Sequence, residues 1–157
     1  MTPLWWVAAL IAPLAPAAEA PSLDAWHGRW VGEGEAFGKP ATAKLDIAPG
    51  KAGATTLAYR LSIAGAPPVT YSAEAVYTFD SKRRLRGTWT DSYGQKRAVA
   101  GGLTAGLWWT HWGSADVEIG RSTYALENGG TLVVSDSILQ GDGSWRLSGQ
   151  KVWTTNA

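Results

Sequence analysis

Apolar and polar residues alternate along much of the chain. Over residues 57–63, large apolar side chains fall on every second position with polar residues between them, and the same period of two recurs over 71–79 and 131–138. A period of two is typical of strands that bury one face and expose the other. The pattern therefore predicts half-buried β-strands, and no segment after Leu23 predicts a long amphipathic helix.

Clusters of Gly, Pro, Asn and Asp separate these runs at intervals of about 8–12 residues, as in β-sandwiches and barrels. Short connections make successive strands antiparallel neighbours, and closing the sheet removes its two exposed edges. We therefore predict an all-β fold, a single antiparallel up-and-down β-barrel of about ten strands, with a β-sandwich as the alternative. The predicted turns are at 49–53, 65–68, 80–82, 93–95, 113–115, 128–130 and 141–143, and Gly101-Gly102 marks a further bulge or turn.

The start of the chain has features of a secretory signal peptide. An apolar stretch from Leu4 to Leu14 is shorter than the roughly 20 residues that span a bilayer. Ala15-Pro16-Ala17 fits the small-x-small cleavage rule, and Ala18-Glu19-Ala20 is a second candidate. We expect a signal peptide over 1–17, or up to residue 20, followed by one barrel domain over 18–157. This predicts a periplasmic or secreted protein. Because no Lys or Arg precedes the apolar stretch, a buried or disordered N-terminus is the alternative.

Composition narrows the set of partners. Fourteen Lys and Arg balance 13 Asp and Glu, so no strong field favours nucleic acid or an anionic membrane. Charged residues punctuate the strands, which argues against a lipid-facing outer-membrane barrel, and we expect no stable membrane insertion after signal cleavage. Ten Trp and 19 Gly suit a strongly curved sheet. With no Cys, the domain must be stabilised by packing alone.

Several motifs carry a resemblance to a known group of barrels. The first predicted strand resembles that of nitrobindin and lipocalin-like barrels, and it reads Gly28-Arg29-Trp30-Val31-Gly32-Glu33-Gly34. A later hairpin resembles one in small bacterial lipocalin-like proteins, and it reads Gly87-Thr88-Trp89-Thr90-Asp91-Ser92-Tyr93-Gly94. The segments 120–124, 134–136 and 143–146 fit the same group in order. The resemblance implies a calycin-type barrel with an internal cavity, and it implies no particular ligand.

The resemblance also implies roles for three residues. In calycins a basic side chain from a late strand covers the first-strand Trp, which here would place Arg146 over Trp30 at the closed end of the barrel. Nitrobindins bind haem through a His near the C-terminus, but the last predicted strand here, 144–153, has none. His111, which alternates with Trp109, is then the one candidate axial ligand. A haem barrel acting on nitrogen oxides or peroxynitrite is therefore an alternative function; otherwise we expect no cofactor.

Aromatic residues supply the candidate lining of the cavity. Aromatic walls with a few polar groups are typical of small-ligand sites. We therefore predict a binding site for a small, largely apolar molecule, and the alternative is a structural barrel filled by its own side chains. The aromatic candidates for the site are Tyr59, Tyr77, Trp89, Trp109 and Tyr124.

Two charged residues interrupt apolar faces. Arg121 alternates with Ile119, and Asp136 alternates with Val134, so we predict that both charges point inward. A buried charge is costly unless it is paired. We therefore expect an Arg121–Asp136 pair across adjacent strands, joined by Glu74, which either orders the core or binds a ligand carboxylate.

The sequence gives little support for catalysis. It contains no nucleophile elbow, no metal-spaced His cluster and no phosphate-binding glycine loop. Asp91 with Glu118 could act as an acid–base pair. However, Asp91 before Ser92-Tyr93-Gly94 is better explained as a residue that stabilises a turn. We therefore expect a binding protein rather than an enzyme, with no metal site.

Overall fold

The computed structural model of the chain describes residues 19–113, 118–128 and 130–155, with side chains up to Lys151. The predicted signal peptide over 1–17 lies outside these residues. The described chain folds almost entirely into antiparallel strands. The strands are β1 Gly28–Ala36, β2 Lys39–Pro49, β3 Thr55–Ile63, β4 Val69–Phe79, β5 Leu85–Asp91, β6 Lys96–Thr104, β7 Leu107–Trp112, β8 Gly120–Glu127, β9 Thr131–Leu139 and β10 Trp145–Thr155.

The ten strands form a closed barrel. Each strand pairs with the next one along the chain, and β1 pairs with β10 to close the ring. The predicted single antiparallel up-and-down barrel is thereby confirmed, and the sandwich alternative is wrong. Gly101 and Gly102 make neither a turn nor a bulge, because they lie within the continuous pairing of β6 with its neighbours.

One end of the barrel is sealed by residues that precede β1. A short 3-10 helix at Asp24–Trp26 buries Leu23 and Trp26 in the barrel end. The indole Nε1 of Trp26 donates a hydrogen bond to the Tyr124 carbonyl at 3.1 Å, and that of Trp30 donates to the Trp26 carbonyl at 3.0 Å. These bonds fix the segment across the opening, which we call the closed end.

Packed aromatic rings fill the barrel behind this seal. Trp108, which is fully buried, stacks on Tyr124 with 4.1 Å between ring centroids. Tyr77 and Trp26 meet the Trp108 ring edge-on, at 5.0 and 6.4 Å. Edge-to-face and offset contacts of this kind are the favoured geometries of aromatic pairs. The closed half of the barrel is therefore a solid core.

The expected contact between Trp30 and Arg146 is wrong. Trp30 pairs with Thr155 at the end of β10, whereas Arg146 pairs with Ile138 near its start. Nine residues of strand separate these positions in β10, which amounts to roughly 30 Å. Arg146 is exposed at the opposite end of the barrel, and the segment before β1 covers Trp30 instead.

The seam between β1 and β10 requires a glycine. A Cβ atom on Gly34 would lie 2.2 Å from the carbonyl oxygen of Gln150, a backbone atom that cannot move aside. The motif glycine thus permits the close approach that joins the first strand to the last.

Within the described residues, no helix is long and apolar enough to cross a membrane.

Candidate functional site

The half of the barrel away from the closed end contains a cavity of about 360 Å³. This volume lies within the range of small-molecule sites, which are roughly 300–1,000 Å³. Each strand from β3 to β10 contributes at least one polar or aromatic side chain, so the lining is mixed along its circumference. The aliphatic lining residues are Ala36, Leu45, Leu61, Ile63, Val69, Val99, Val134 and Ile138, and the aromatic ones are Phe37, Tyr59, Tyr71, Tyr77, Trp89, Tyr93, Trp112 and Tyr124.

Three aromatic side chains form one wall of the cavity. The ring of Tyr59 lies 6.0 Å from that of Tyr71 and 6.1 Å from that of Trp89. Trp89 Nε1 donates a hydrogen bond to the Tyr71 hydroxyl at 2.9 Å. Because each side chain is held by another, this wall is rigid before any ligand binds.

The opposite wall is built on a glycine. A Cβ atom on Gly120 would lie 2.0 Å from the Trp112 ring, so the indole lies flat against the backbone of β8. Trp112 Nε1 then donates to Ser122 Oγ at 3.2 Å. The glycine therefore sets where this indole lies along the cavity wall.

A buried polar network continues from Ser122. Its hydroxyl donates to Asp136 Oδ1 at 2.7 Å, and Lys151 Nζ lies 3.4 Å from Asp136 Oδ2. The Lys151 side chain is only 2% exposed, while that of Asp136 is 29% exposed. Lys151 Nζ also lies 6.0 Å from the centre of the Tyr59 ring, at the outer limit of a cation–π contact. The network places a compensated pair of charges inside the cavity, beside its apolar and aromatic walls.

Asp91 has the turn-stabilising role that the sequence indicates. Its Oδ1 accepts hydrogen bonds from the backbone N–H groups of Tyr93 and Gln95, both at 3.0 Å. Its Oδ2 lies 3.4 Å from a guanidinium nitrogen of Arg97. With its oxygens held in this way, Asp91 serves the β5–β6 turn rather than acid–base chemistry.

Two tyrosines lie where the cavity meets the aromatic core. Burial raises the pKa of Tyr77 and of Tyr124 well above the ordinary value, and the negative charge of Asp136 raises both further. Burial raises the pKa of Tyr59 in the same way. These phenols therefore stay protonated at physiological pH and remain hydrogen-bond donors.

Five of the predicted site residues face the cavity, and three do not. Trp109, His111 and Arg121 lie on the outer surface, so their predicted inward orientation is wrong. The inward set is Tyr59, Tyr77, Trp89, Tyr124 and Asp136.

The errors arise in β7 and β8, where both faces carry large side chains. In β7 the buried face holds Trp108 and Thr110, and the face of Trp109 and His111 points outward. Along β8 a period of two places Arg121 on the face opposite Tyr124, so the two could not both be inward. Periodicity alone could not identify the inward face of these strands, because both faces carry residues that could be buried.

The outward residues form a stack on the surface. His111 lies parallel to Trp145, with 5.7 Å between ring centroids, and 5.3 Å from the ring of Trp109. The guanidinium of Arg121 lies 4.7 Å above the Trp145 ring. Burial lowers the pKa of His111, and the positive charge of Arg121 lowers it further. Arg121 is thus used in a cation–π contact outside the barrel.

The expected Arg121–Asp136 pair is therefore wrong, and Lys151 takes the place of Arg121. Glu74, the expected third member, is exposed on the outer face of β4. The alternation of β10 does not identify Lys151 as an inward residue, because the strand shifts register between Leu147 and Gly149. An extra residue at a bulge inverts the inside–outside alternation beyond it. A lone Lys two residues after Gly149 was the available signal, and it becomes readable only once the bulge is located.

The cavity does not fit the haem hypothesis. His111, its predicted axial ligand, faces outward, and the His27 ring lies 3.4 Å from Thr55 Oγ1 near the closed end. No histidine is among the residues that line the cavity where the structure describes it. Across the described residues, no group of three or more His, Cys, Asp or Glu is arranged to hold a metal ion.

A second depression, of about 990 Å³, lies on the outer surface of the barrel. Its charged lining residues Glu33, Lys44 and Arg60 are exposed to solvent. Buried apolar surface and converging polar groups distinguish the interior cavity from this outer depression, so the interior cavity is the candidate site.

In comparisons with known proteins, no protein-family model matches the chain, and no curated protein shows significant similarity to it.

Proposed function

We propose that this protein is an exported, calycin-type binding protein that holds a small, largely apolar molecule inside its barrel. The observation that carries the proposal is the cavity of about 360 Å³ between a solid aromatic core and the open end. Export rests on the features of a signal peptide in the first residues, and the relation to calycins rests on the first-strand and hairpin motifs.

The mouth of the cavity supports an apolar ligand. Phe37, Val69 and Tyr93 are 69%, 50% and 65% exposed, and all three line the cavity opening. Large apolar side chains exposed together at one place are a common mark of a binding site. An apolar molecule that enters here first meets these apolar side chains at the rim.

The proposal is tested by titrating the protein with N-phenylnaphthylamine, an uncharged fluorophore whose emission rises in apolar surroundings. We expect saturable binding at a single site in the wild type. In Leu61→Trp, a bulky indole on the cavity wall should weaken the binding by about tenfold or more, because it fills the volume the fluorophore needs.

Arg60→Trp is the matched control. Arg60 is the neighbouring residue in β3, and its exposed side chain lines the outer depression. Binding should be unchanged in this variant. Equal loss in both variants, or loss in Arg60→Trp alone, would place the site outside the barrel, and absence of saturable binding in the wild type would refute the function.

A further inference from the structure

Two tyrosine hydroxyls at the bottom of the cavity make no hydrogen bond to any residue that the structure describes. Tyr77 and Tyr124 are 1% and 4% exposed, and both line the cavity. The Tyr71 hydroxyl, by contrast, accepts a hydrogen bond from Trp89. Neither oxygen is among the fully buried, unpartnered polar atoms of the described residues, so both open onto the cavity, where a ligand can bind them.

The two phenols pack against one indole at the bottom of the cavity. The centroid of the Trp108 ring lies 5.0 Å from that of Tyr77 and 4.1 Å from that of Tyr124. Both phenols are held in the neutral form, so each offers one O–H donor. Two donors that line one small cavity are suited to a single acceptor oxygen, which has two lone pairs.

The surrounding charges favour an uncharged ligand. The carboxylates of Asp136 and Glu118, which line the same cavity, would repel an anion. The two basic residues in the lining, Lys151 and Arg97, are already paired with Asp136 and Asp91. The aromatic wall of Tyr59, Tyr71 and Trp89 favours a flat apolar body above the acceptor.

We propose that the ligand is an uncharged, flat, apolar molecule with a carbonyl-type oxygen that accepts hydrogen bonds from Tyr77 and Tyr124. This inference rests on the proposed function and adds the chemical class of the ligand. The apolar body lies between the aromatic walls, and the oxygen points toward the closed end.

The test compares two probes of nearly identical shape, acetylnaphthalene and isopropenylnaphthalene, which carry a C=O and a C=CH₂ group at the same place. Each displaces N-phenylnaphthylamine from the wild type, the Tyr77→Phe and Tyr124→Phe single variants, and the double variant. We expect the ketone to bind more tightly than the alkene by roughly two- to tenfold for each hydroxyl. Each single variant should lose part of this preference, and the double variant all of it.

Thr78→Val is the matched control, because it removes a hydroxyl from the exposed outer face of β4, next to Tyr77 in the chain. It should keep the full preference for the ketone. The alkene should bind all four variants as it binds the wild type, which shows that the site is intact. The two single variants keep the test decisive if the double variant does not fold.

The outcomes distinguish a failure of this inference from a failure of the proposed function. Equal affinity for ketone and alkene in the wild type, or a preference that survives in the double variant, would overturn the inference and leave the proposed function standing. Tighter binding of naphthoate than of the ketone would overturn the uncharged class. If neither probe displaced the bound fluorophore, the inference alone would be wrong. If the fluorophore did not bind, the proposed function would be wrong as well.

Discussion

At the scale of single residues, the buried pair of Lys151 and Asp136 is the main electrostatic feature of the barrel interior. Removing an ammonium group from water is costly, and the cost is offset only by a close counter-charge and further hydrogen bonds. Asp136 supplies the charge, and Ser122 holds the carboxylate in place through its other oxygen. The pair is therefore sensitive to the loss of either partner.

We expect Asp136→Asn to lower the free energy of unfolding by about 3 kcal/mol, because it leaves the Lys151 ammonium buried without a counter-charge. Asparagine keeps the shape of the side chain and can still accept from Ser122. Urea denaturation followed by fluorescence measures the change. Asp46→Asn is the control: its partner Arg29 lies 3.6 Å away on the exposed surface, and the loss should stay below about 1 kcal/mol. Equal effects of the two substitutions would contradict a buried ion pair.

His111 should titrate below the ordinary value for histidine. Burial and then the charge of Arg121 lower its pKa from 6.5. Between the folded and unfolded pKa values the unfolded chain binds more protons, so this group's contribution to stability is full above 6.5 and falls as the pH drops through the folded pKa. NMR titration of the imidazole measures the folded pKa directly.

In Arg121→Gln the pKa of His111 should rise toward 6.5, because one of the two causes is removed. His27→Gln assigns the signals, since the chain has two histidines. A His111 pKa that is unchanged in Arg121→Gln would show that the stacked geometry with the guanidinium does not persist in solution.

At the scale of the element, β7 shows how adjacent tryptophans acquire different roles. Trp108 is fully buried in the closed-end core, whereas Trp109 lies over Gly102 on the outer surface. A Cβ atom on Gly102 would come within 3.1 Å of the Trp109 ring, so the indole packs directly against the backbone of β6. The register of β7 against β6 and β8 determines which indole is inside.

Alanine substitutions of Trp108 and Trp109 should lower the free energy of unfolding by different amounts. Trp108→Ala should cost about 3–5 kcal/mol, because it removes the centre of the aromatic core and leaves a cavity. Trp109→Ala should cost roughly 1 kcal/mol, since only one face of the ring is covered. Chemical denaturation of both variants gives the comparison. Similar losses in both, or a larger one for Trp109→Ala, would reverse the assignment of faces in β7.

At the scale of the whole molecule, closure of the barrel gives every strand two neighbours. Glu33 is exposed, yet its backbone pairs with Thr42 in β2 and with Val152 in β10. In an open sheet the first strand would be an edge, where proline is tolerated. In the closed barrel β1 is paired on both sides, so we expect no position within it to tolerate proline.

Glu33→Pro should therefore lower the free energy of unfolding by more than about 2 kcal/mol, because it removes a backbone donor from a ladder that is paired on both sides. Glu33→Thr should be neutral or slightly stabilising, since Thr favours strands. Thermal unfolding followed by circular dichroism measures both. Tolerance of Pro at this position would mean that β1 and β10 do not pair in solution.

The strands, their antiparallel order and most of their turns could be predicted from the sequence alone. Alternation and turn chemistry act over a few residues, so they can be read without knowing the fold. Closure could be inferred as well, because about ten short-linked strands in an open sheet would leave two exposed edges. The inward positions of Tyr59, Tyr77 and Trp89 also followed, since their strands carry aromatic residues on one face only.

Three features could be found only in the folded chain: the inward faces of β7 and β8, the seal of the closed end and the charged pair in the cavity. Where both faces of a strand are apolar or aromatic, a shift of one residue exchanges inside and outside at little local cost, so only pairing with neighbours selects Trp108 over Trp109. The bulge in β10 brings Lys151 inward through the same inversion. Contacts between residues far apart in the chain set these features, and no local pattern contains them.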